Sequence, residues 1–436
     1  VRHFHHIGKK NREQYKKRAK YFVIFCMHAI IRVVSVALTN ELLRRNMTTS
    51  ADGKTTIFLL VEASYIIPFW FARSIEGLES VATKQKCTVK QVASVKDIEP
   101  SSNAIVILGT TKNWIRETIS AARRRAFRII LIGAVPGNYG EDISGTMYGS
   151  RSTIEAMVRY FHYHNRRRIA LVDINSNSSN DVTKFESFLM TSRQLNMNTS
   201  YADVYFRDVD SHNPTEHFLM RMEMYDGVIC SNDFSAAYII NYARDHNIKI
   251  PEQLFVAGLG DISLCRYTCP SLTSATRSYY EAGKQVFDIW KTLNQNPNVE
   301  SIVTTMRSTI KPRGSTGFLP VVEQDDETGQ NDFESEYDGC APCVANGINA
   351  IRAIHCCLAQ CDSLDMMIIT GVMKNDSNEK LAEELAVAPG TINYRLKKLY
   401  KNAGVSTKTE FADLFRLHVS LDALTKDSSE LIDNSR

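Results

Sequence analysis

The chain has 436 residues, 44% of them apolar and 23% charged, the balance of a globular protein with room for roughly two to four domains. Its formal net charge of +4 hides an asymmetry. Residues 1–46 carry eleven Lys/Arg against two Glu, a surplus of nine, so the remainder is net −5. A basic footprint over the whole protein is therefore excluded. The ten cysteines are scattered rather than framed, which suggests a reducing compartment and hence a cytoplasmic protein.

Residues 1–54 read as a basic and apolar extension. Lys9, Lys10, Arg12, Lys16, Lys17, Arg18 and Lys20 precede the apolar run Tyr21–Leu38, which resembles a signal anchor. His28 and Arg32 interrupt that run, and a charge at mid-span costs about 2.5–3.5 kcal/mol. Positive charge ahead of the run would also send everything downstream to the outside. The expectation is a surface or interface helix, or an extension ahead of an internal start at Met47, and no membrane partner.

From Thr55 the chain alternates β-rich apolar runs with amphipathic helical patterns. TIFLLVE leads into a helix to Ala82 and AIVILGT into a helix to Arg125; RIILIGA, RRIALVD, GVICSND and LFVAGLGD follow. Such alternation predicts an α/β fold of parallel sheets covered by helices, with ligands at the carboxyl ends of the strands. Two sheets in tandem would place a cleft between lobes.

Four stretches carry a family resemblance: IIPFWFARSIEGLE, HNRRRIALVD, YDGVICSND through FVAGLGDISLCRYTCPSLTSA, and IKPRGST. Together they resemble the effector-binding domain of the LacI/purine-repressor family. The resemblance implies two Rossmann-like lobes of the periplasmic-binding-protein type I class over residues 55–318, closing on a small-molecule effector. It also implies ligand contacts at Pro68, Phe69, Trp70, Lys184, Asp233 and Asp261. Lys184 stands where the family has a clamping arginine, and an ammonium loses the bidentate geometry of a guanidinium. Gly260 replaces the first of two aspartates, which leaves Asp261 alone and puts a sugar ligand in doubt. The bland reading of these residues is structural: Pro68 and Phe69 ending a strand and packing, Asp261 capping a helix. No helix-turn-helix is legible in residues 1–54.

Residues 319–340 form an acidic linker, with eight carboxylates and no base between Val321 and Gly339. Such a segment cannot bury enough apolar surface to fold alone. Its charge also suits competition with DNA for a basic helix. Cys340 and Cys343 have metal or redox spacing, but no second pair accompanies them, and no metal or cofactor is expected.

Residues 341–425 read as a helical region, followed by a polar tail at 426–436. In NEKLAEELAV, Leu381, Ala382, Leu385 and Ala386 recur at helical spacing; after Pro389 a second helix buries Ile392, Leu396 and Leu399. Its other face carries Thr391, Asn393, Tyr394, Arg395, Lys397, Lys398 and Lys401, cations for phosphates and forked groups for base edges. On charge alone the face could equally be solvated surface. The pattern resembles the LuxR/GerE-type helix-turn-helix over Ser363–His418, with Ala388 in place of the usual capping serine and Arg395 in place of a histidine. TINYRLKKL is also similar to the terminal helix-turn-helix of PucR-type regulators. Either resemblance implies DNA binding.

No Gly-rich phosphate loop, nucleophile elbow or H-E-x-x-H helix is present, so no enzyme is expected. The sequence is read as a bacterial ligand-responsive transcriptional regulator, a homodimer whose partners are operator DNA and a small effector. The competing reading is a membrane-anchored solute receptor with a C-terminal protein-interaction module. Arg395→Ala or Asn393→Ala is expected to relax sequence preference, whereas Lys401→Ala would weaken all DNA sequences alike.

Overall fold

The computed structural model describes residues 55–63, 69–98, 104–207, 213–321 and 346–425. The N-terminal extension, Pro68, the acidic linker beyond Val321, Cys340 and Cys343 lie outside the described residues. The chain divides into two compact units, the first built from the residues up to Met147 and Tyr279–Thr304, the second from Tyr148–Ser278 and Thr305 onward.

In the first unit, β1 (Thr56–Val61), β2 (Thr88–Val92), β3 (Ala104–Leu108), β4 (Arg128–Ile132), β5 (Ser144–Tyr148) and β11 (Val303–Met306) form a sheet of order β11-β5-β4-β3-β1-β2. Strand β3 is apolar at every position, and β1 and β4 are apolar at all but their first residues, Thr56 and Arg128, because both sheet faces are covered. Ile57, Leu59, Val106 and Ile130 point into one core with Phe71 and Leu78 of α1 (Phe69–Lys84) and Val286 and Trp290 of α7 (Tyr279–Gln295). Their neighbours Phe58, Leu60, Ile105 and Ile129 point into another with Ile115, Ile119 and Ala122 of α2 (Lys112–Arg123). Helices α1 and α7 touch backbone to backbone. A Cβ on Gly77 would lie 2.0 Å from the Tyr280 carbonyl oxygen, and one on Gly283 1.9 Å from that of Ser74.

The second unit carries β6 (Ile169–Ile174), β7 (Val204–Phe206), β8 (Gly227–Cys230), β9 (Phe255–Gly260), β10 (Thr273–Thr276) and β12 (Ile310–Lys311) in the order β12-β10-β9-β8-β6-β7. Strands β7, β6, β8, β9 and β10 run parallel, and β12 pairs antiparallel with β10. Consequently the carboxyl ends of the parallel strands share one edge. Its core takes Ile154, Met157 and Phe161 from α3 (Ser150–Tyr163) and Phe188 from α4 (Ser179–Gln194). Helices α5 (Pro214–Leu219) and α6 (Asp233–Asp245) complete this lobe. The expected α/β class with two sheet-based lobes, followed by helices, is thus observed.

Five further helices belong to the second unit: α8 (Asn346–Leu358), α9 (Ser363–Met373), α10 (Asn378–Glu384), α11 (Pro389–Ala403) and α12 (Lys408–His418). They do not hang free of the lobe. His355 of α8 meets the Phe234 ring edge-on at 5.7 Å and the Ser263 hydroxyl at 3.2 Å. The Asn241 amide lies 2.8 Å from Nδ1 of His418, the Arg244 guanidinium donates to the Leu417 carbonyl at 2.8 Å, and the Ser420 N–H donates to the Tyr267 carbonyl. Among the described residues no helix is long and apolar enough to cross a membrane.

Candidate functional site

Of the residues singled out after β1, only Trp70 is described with its side chain. Pro68 is outside the described residues, and of Phe69 only its place at the start of α1 is described. Trp70 is half-buried against the first core and stacks on Tyr279 with ring centroids 6.1 Å apart.

The carboxyl edge of the second sheet does gather chemistry. Asp173, the penultimate residue of β6, is buried at left-handed φ of 68°. Its carboxylate accepts from Arg207 Nε at 2.8 Å, Asn232 Nδ2 at 2.6 Å and Ser235 Oγ at 2.6 Å. Burial opposes its ionisation, but Arg207 and these hydrogen bonds outweigh burial and hold the carboxyl below its ordinary value. Lys184 is buried on α4, with Nζ 2.5 Å from Asp181 Oδ1 and 3.3 Å from the Ser231 carbonyl. Burial pulls its pKa down, Asp181 pulls it up, and nearby Arg277 adds to the lowering. The ammonium therefore sits on an internal partner beneath the strand ends.

Asp233 and Asp261 also have partners of their own. Asp233, the first residue of α6, accepts from the Ser274 hydroxyl at 2.5 Å and the Ile262 N–H at 3.1 Å. Burial raises its pKa to about 6. Gly258 is required beside it, since a Cβ there would stand 2.2 Å from Oδ1. Asp261, at φ of 51°, pairs with Arg313 at 2.5 Å and Lys311 at 2.9 Å. These two carboxylates tie α6 to β9 and β10 and the β9 end to β12. Sequence reading missed Asp173, Arg207 and Arg277, although Asp173 closes the quoted run RRIALVD and Arg277 directly follows β10. Strand-end position alone was the available signal.

In the C-terminal helices, Ser377 caps α10 by accepting from the Lys380 N–H. Helix α11 has no side-chain cap at Ala388, starts with Pro389 at its first turn, and ends at Gly404 with φ of 67°. Ile392, Leu396 and Leu399 are buried as expected. Asn393, Tyr394, Lys397, Lys398 and Lys401 are exposed, Tyr394 at 72%, while Thr391 is half-buried.

Arg395 is placed differently from its neighbours. Its Nη1 lies 2.7 and 2.6 Å from the two Asp362 oxygens and 2.9 Å from Asp365 Oδ1. Those carboxylates belong to the capping box of α9, so the guanidinium bolts α11 to the start of α9. Asn393 accepts from the Asn378 amide at 2.9 Å, and Lys398 lies 3.7 Å from Asp365. The exposed cationic face is thus Lys397, Lys398 and Lys401, flanked by Tyr394. Among the described residues there is no cluster of three or more His, Cys, Asp or Glu able to hold a metal.

The second lobe's strands and their order define the class, and comparison with known proteins agrees. Residues 158–316 match the family model of a periplasmic binding protein-like domain. The chain is 25% identical over 126 residues to the HTH-type transcriptional repressor PurR of Haemophilus influenzae strain PittEE, covering 28% of this chain and 38% of that protein. It is 30% identical over 93 residues to the HTH-type transcriptional repressor CytR of Escherichia coli K12, covering 21% of this chain and 27% of that one. The chain therefore matches well under half the length of these relatives.

Solved structures extend the likeness in fold to both lobes. The transcription regulator CcpA of Lactococcus lactis superposes with a TM-score of 0.51 at 17% identity, over 60% of this chain and 99% of that one. The transcriptional regulator CelR in complex with cellobiose gives 0.52 at 14% identity, over 60% of this chain and 85% of that one.

Proposed function

We propose that the chain is a ligand-responsive, DNA-binding transcriptional regulator in which a two-lobed domain senses a small effector and the C-terminal helices read DNA as a LuxR/GerE-type helix-turn-helix. The repressors PurR and CytR are similar to part of the sensor region. The observation that carries the DNA-reading half is helix α11. It is buried along Ile392, Leu396 and Leu399 and presents Asn393, Tyr394, Lys397, Lys398 and Lys401 to solvent. A helix offering cations, an amide and an aromatic ring on one exposed face fits the major groove and its phosphates. The docking of α8 and α12 on α6 supports the coupling half: a ligand that shifts α6 would act on the helix-turn-helix through packed contacts. The protein acts as a cytoplasmic homodimer on paired half-sites in this reading.

The test is fluorescence anisotropy of the full chain on a pool of random duplexes and genomic fragments across a salt series. Wild-type affinity should fall with rising salt, and Lys397→Glu with Lys401→Glu should weaken it on the order of tenfold or more. Unchanged binding by that double variant would move the DNA contact elsewhere.

A further inference from the structure

We infer that the carboxyl edge of the second sheet is an anion site, and that the effector carries a carboxylate or phosphate group gripped by Arg277, with Arg352 from the C-terminal helices as a second cation. Four basic side chains lie in electrostatic reach there: Lys184 on α4 is within reach of Arg277 just past β10, and Arg352 on α8 of Arg207 just past β7. Two carboxylates offset them, and both are already taken, Asp181 by Lys184 and Asp173 by Arg207.

Arg277 is left over. Its Nε and Nη2 atoms are shut off from solvent and find no acceptor among the described residues, while its guanidinium carbon lies 5.6 Å from the Tyr148 ring centroid. The residue as a whole is only half-buried, so its outer edge remains reachable. Buried donors that lose water without gaining a partner are costly, and a carboxylate or phosphate satisfies adjacent guanidinium N–H groups in one step once the half-buried side chain turns them toward it.

Arg352 is also without a carboxylate partner among the described residues. It lies 5.3 Å from the Phe234 ring, two residues beyond the Asn232 that holds Asp173. Burial and the field of Arg207 both weigh against its charge, and Asp173 offsets them in part. With Asp233, Asp261, Lys311 and Arg313 of the same edge included, the described side chains named here hold six cations against four carboxylates, an excess of two that an acidic ligand corrects and a neutral sugar does not. The further consequence is that a segment carrying the helix-turn-helix supplies one of the cations, so the ligand would bind sensor and reader together.

The inference deepens the regulator reading in naming the effector class, but the site itself can be tested apart from it. Full-length protein is titrated with inorganic phosphate or with succinate by thermal shift and calorimetry, with chloride at matched ionic strength as reference. A saturable rise in Tm with phosphate or succinate beyond that with chloride is expected. Arg277→Gln should weaken binding on the order of tenfold, Arg277→Lys less, and Arg352→Gln should weaken it too. Equal response to chloride, or undiminished binding by folded Arg277→Gln and Arg277→Lys, overturns the site. Saturable anion binding by a chain that binds no DNA would keep the site and discard the regulator. DNA binding with no anion response would do the reverse.

Discussion

Replacing Arg395 by alanine separates two roles for helix α11. The sequence pattern assigns Arg395 to base readout, whereas its guanidinium spans Asp362 and Asp365 at 2.6–2.9 Å. Asp362 is 54% exposed, so its arm of the interaction contributes little. Asp365 is 1% exposed. A hydrogen bond to a charged group contributes about 1.5–3 kcal/mol, and breaking a buried pair from one side costs about 3–5 kcal/mol. Lys398 remains at 3.7 Å from Asp365 after the change, so a loss of about 2–4 kcal/mol lies between those limits. Urea unfolding followed by far-ultraviolet circular dichroism measures it. Asp365→Asn combined with Arg395→Ala should recover much of the loss, because the buried charge is then gone. Should Arg395→Ala unfold within about 0.5 kcal/mol of wild type and instead lose discrimination between DNA sequences, the ion-pair reasoning is wrong and Arg395 leaves its carboxylates for the groove.

Three other outcomes follow from burial. Asp233 has a folded pKa raised by burial to about 6, so its contribution to stability is intact at low pH and lost as pH rises through that value. Asp233→Asn should be more stable than wild type by about 1–3 kcal/mol at pH 8 and level with it at pH 4; equal curves at both pH values would contradict this. Gly283→Ala should cost about 1–3 kcal/mol or more by forcing α7 away from the Ser74 carbonyl, and a neutral result in chemical denaturation would show that the helices separate freely. His355 and His418 are pushed by burial to about 4, with Arg244 adding to the lowering at His418 and Asp245 opposing it. The contribution of these two histidines to docking of the C-terminal helices is therefore fully present above the ordinary histidine value and lost as pH falls toward 4. Hydrogen exchange in α6, α8 and α12 at pH 4.5 and 7.5 should show loosening at the lower pH; identical protection would refute it.

Strand alternation was legible because the central strands of a covered parallel sheet are apolar on both faces, whatever else the chain does. TIFLLVE, AIVILGT, RIILIGA, RRIALVD, GVICSND and LFVAGLGD all contain strands. Strands β2 (TVKQV), β5 (SGTMY) and β10 (TSAT) escaped notice because they are polar or mixed. In β10 the buried Thr273 and Ser274 hydroxyls find partners far along the chain, the Thr316 hydroxyl 43 residues away and Asp233 41 residues away. No local pattern contains such a partner.

The same physics divides the C-terminal helices. Their periodicity, the Pro389 start and the Gly404 stop are local properties, and the buried stripe of α11 follows from them. What Arg395 does depends on a carboxylate 30 residues earlier. The docking of α12 depends on an asparagine 177 residues away. Sequence by itself determined the parallel lobes and the amphipathic basic helix, since hydrophobic period and backbone propensity act over a few residues. Only the tertiary structure decided which charges are spent on each other, leaving Arg277 and Arg352 over, because ion pairing at a strand edge is set by which chain ends the sheet brings together.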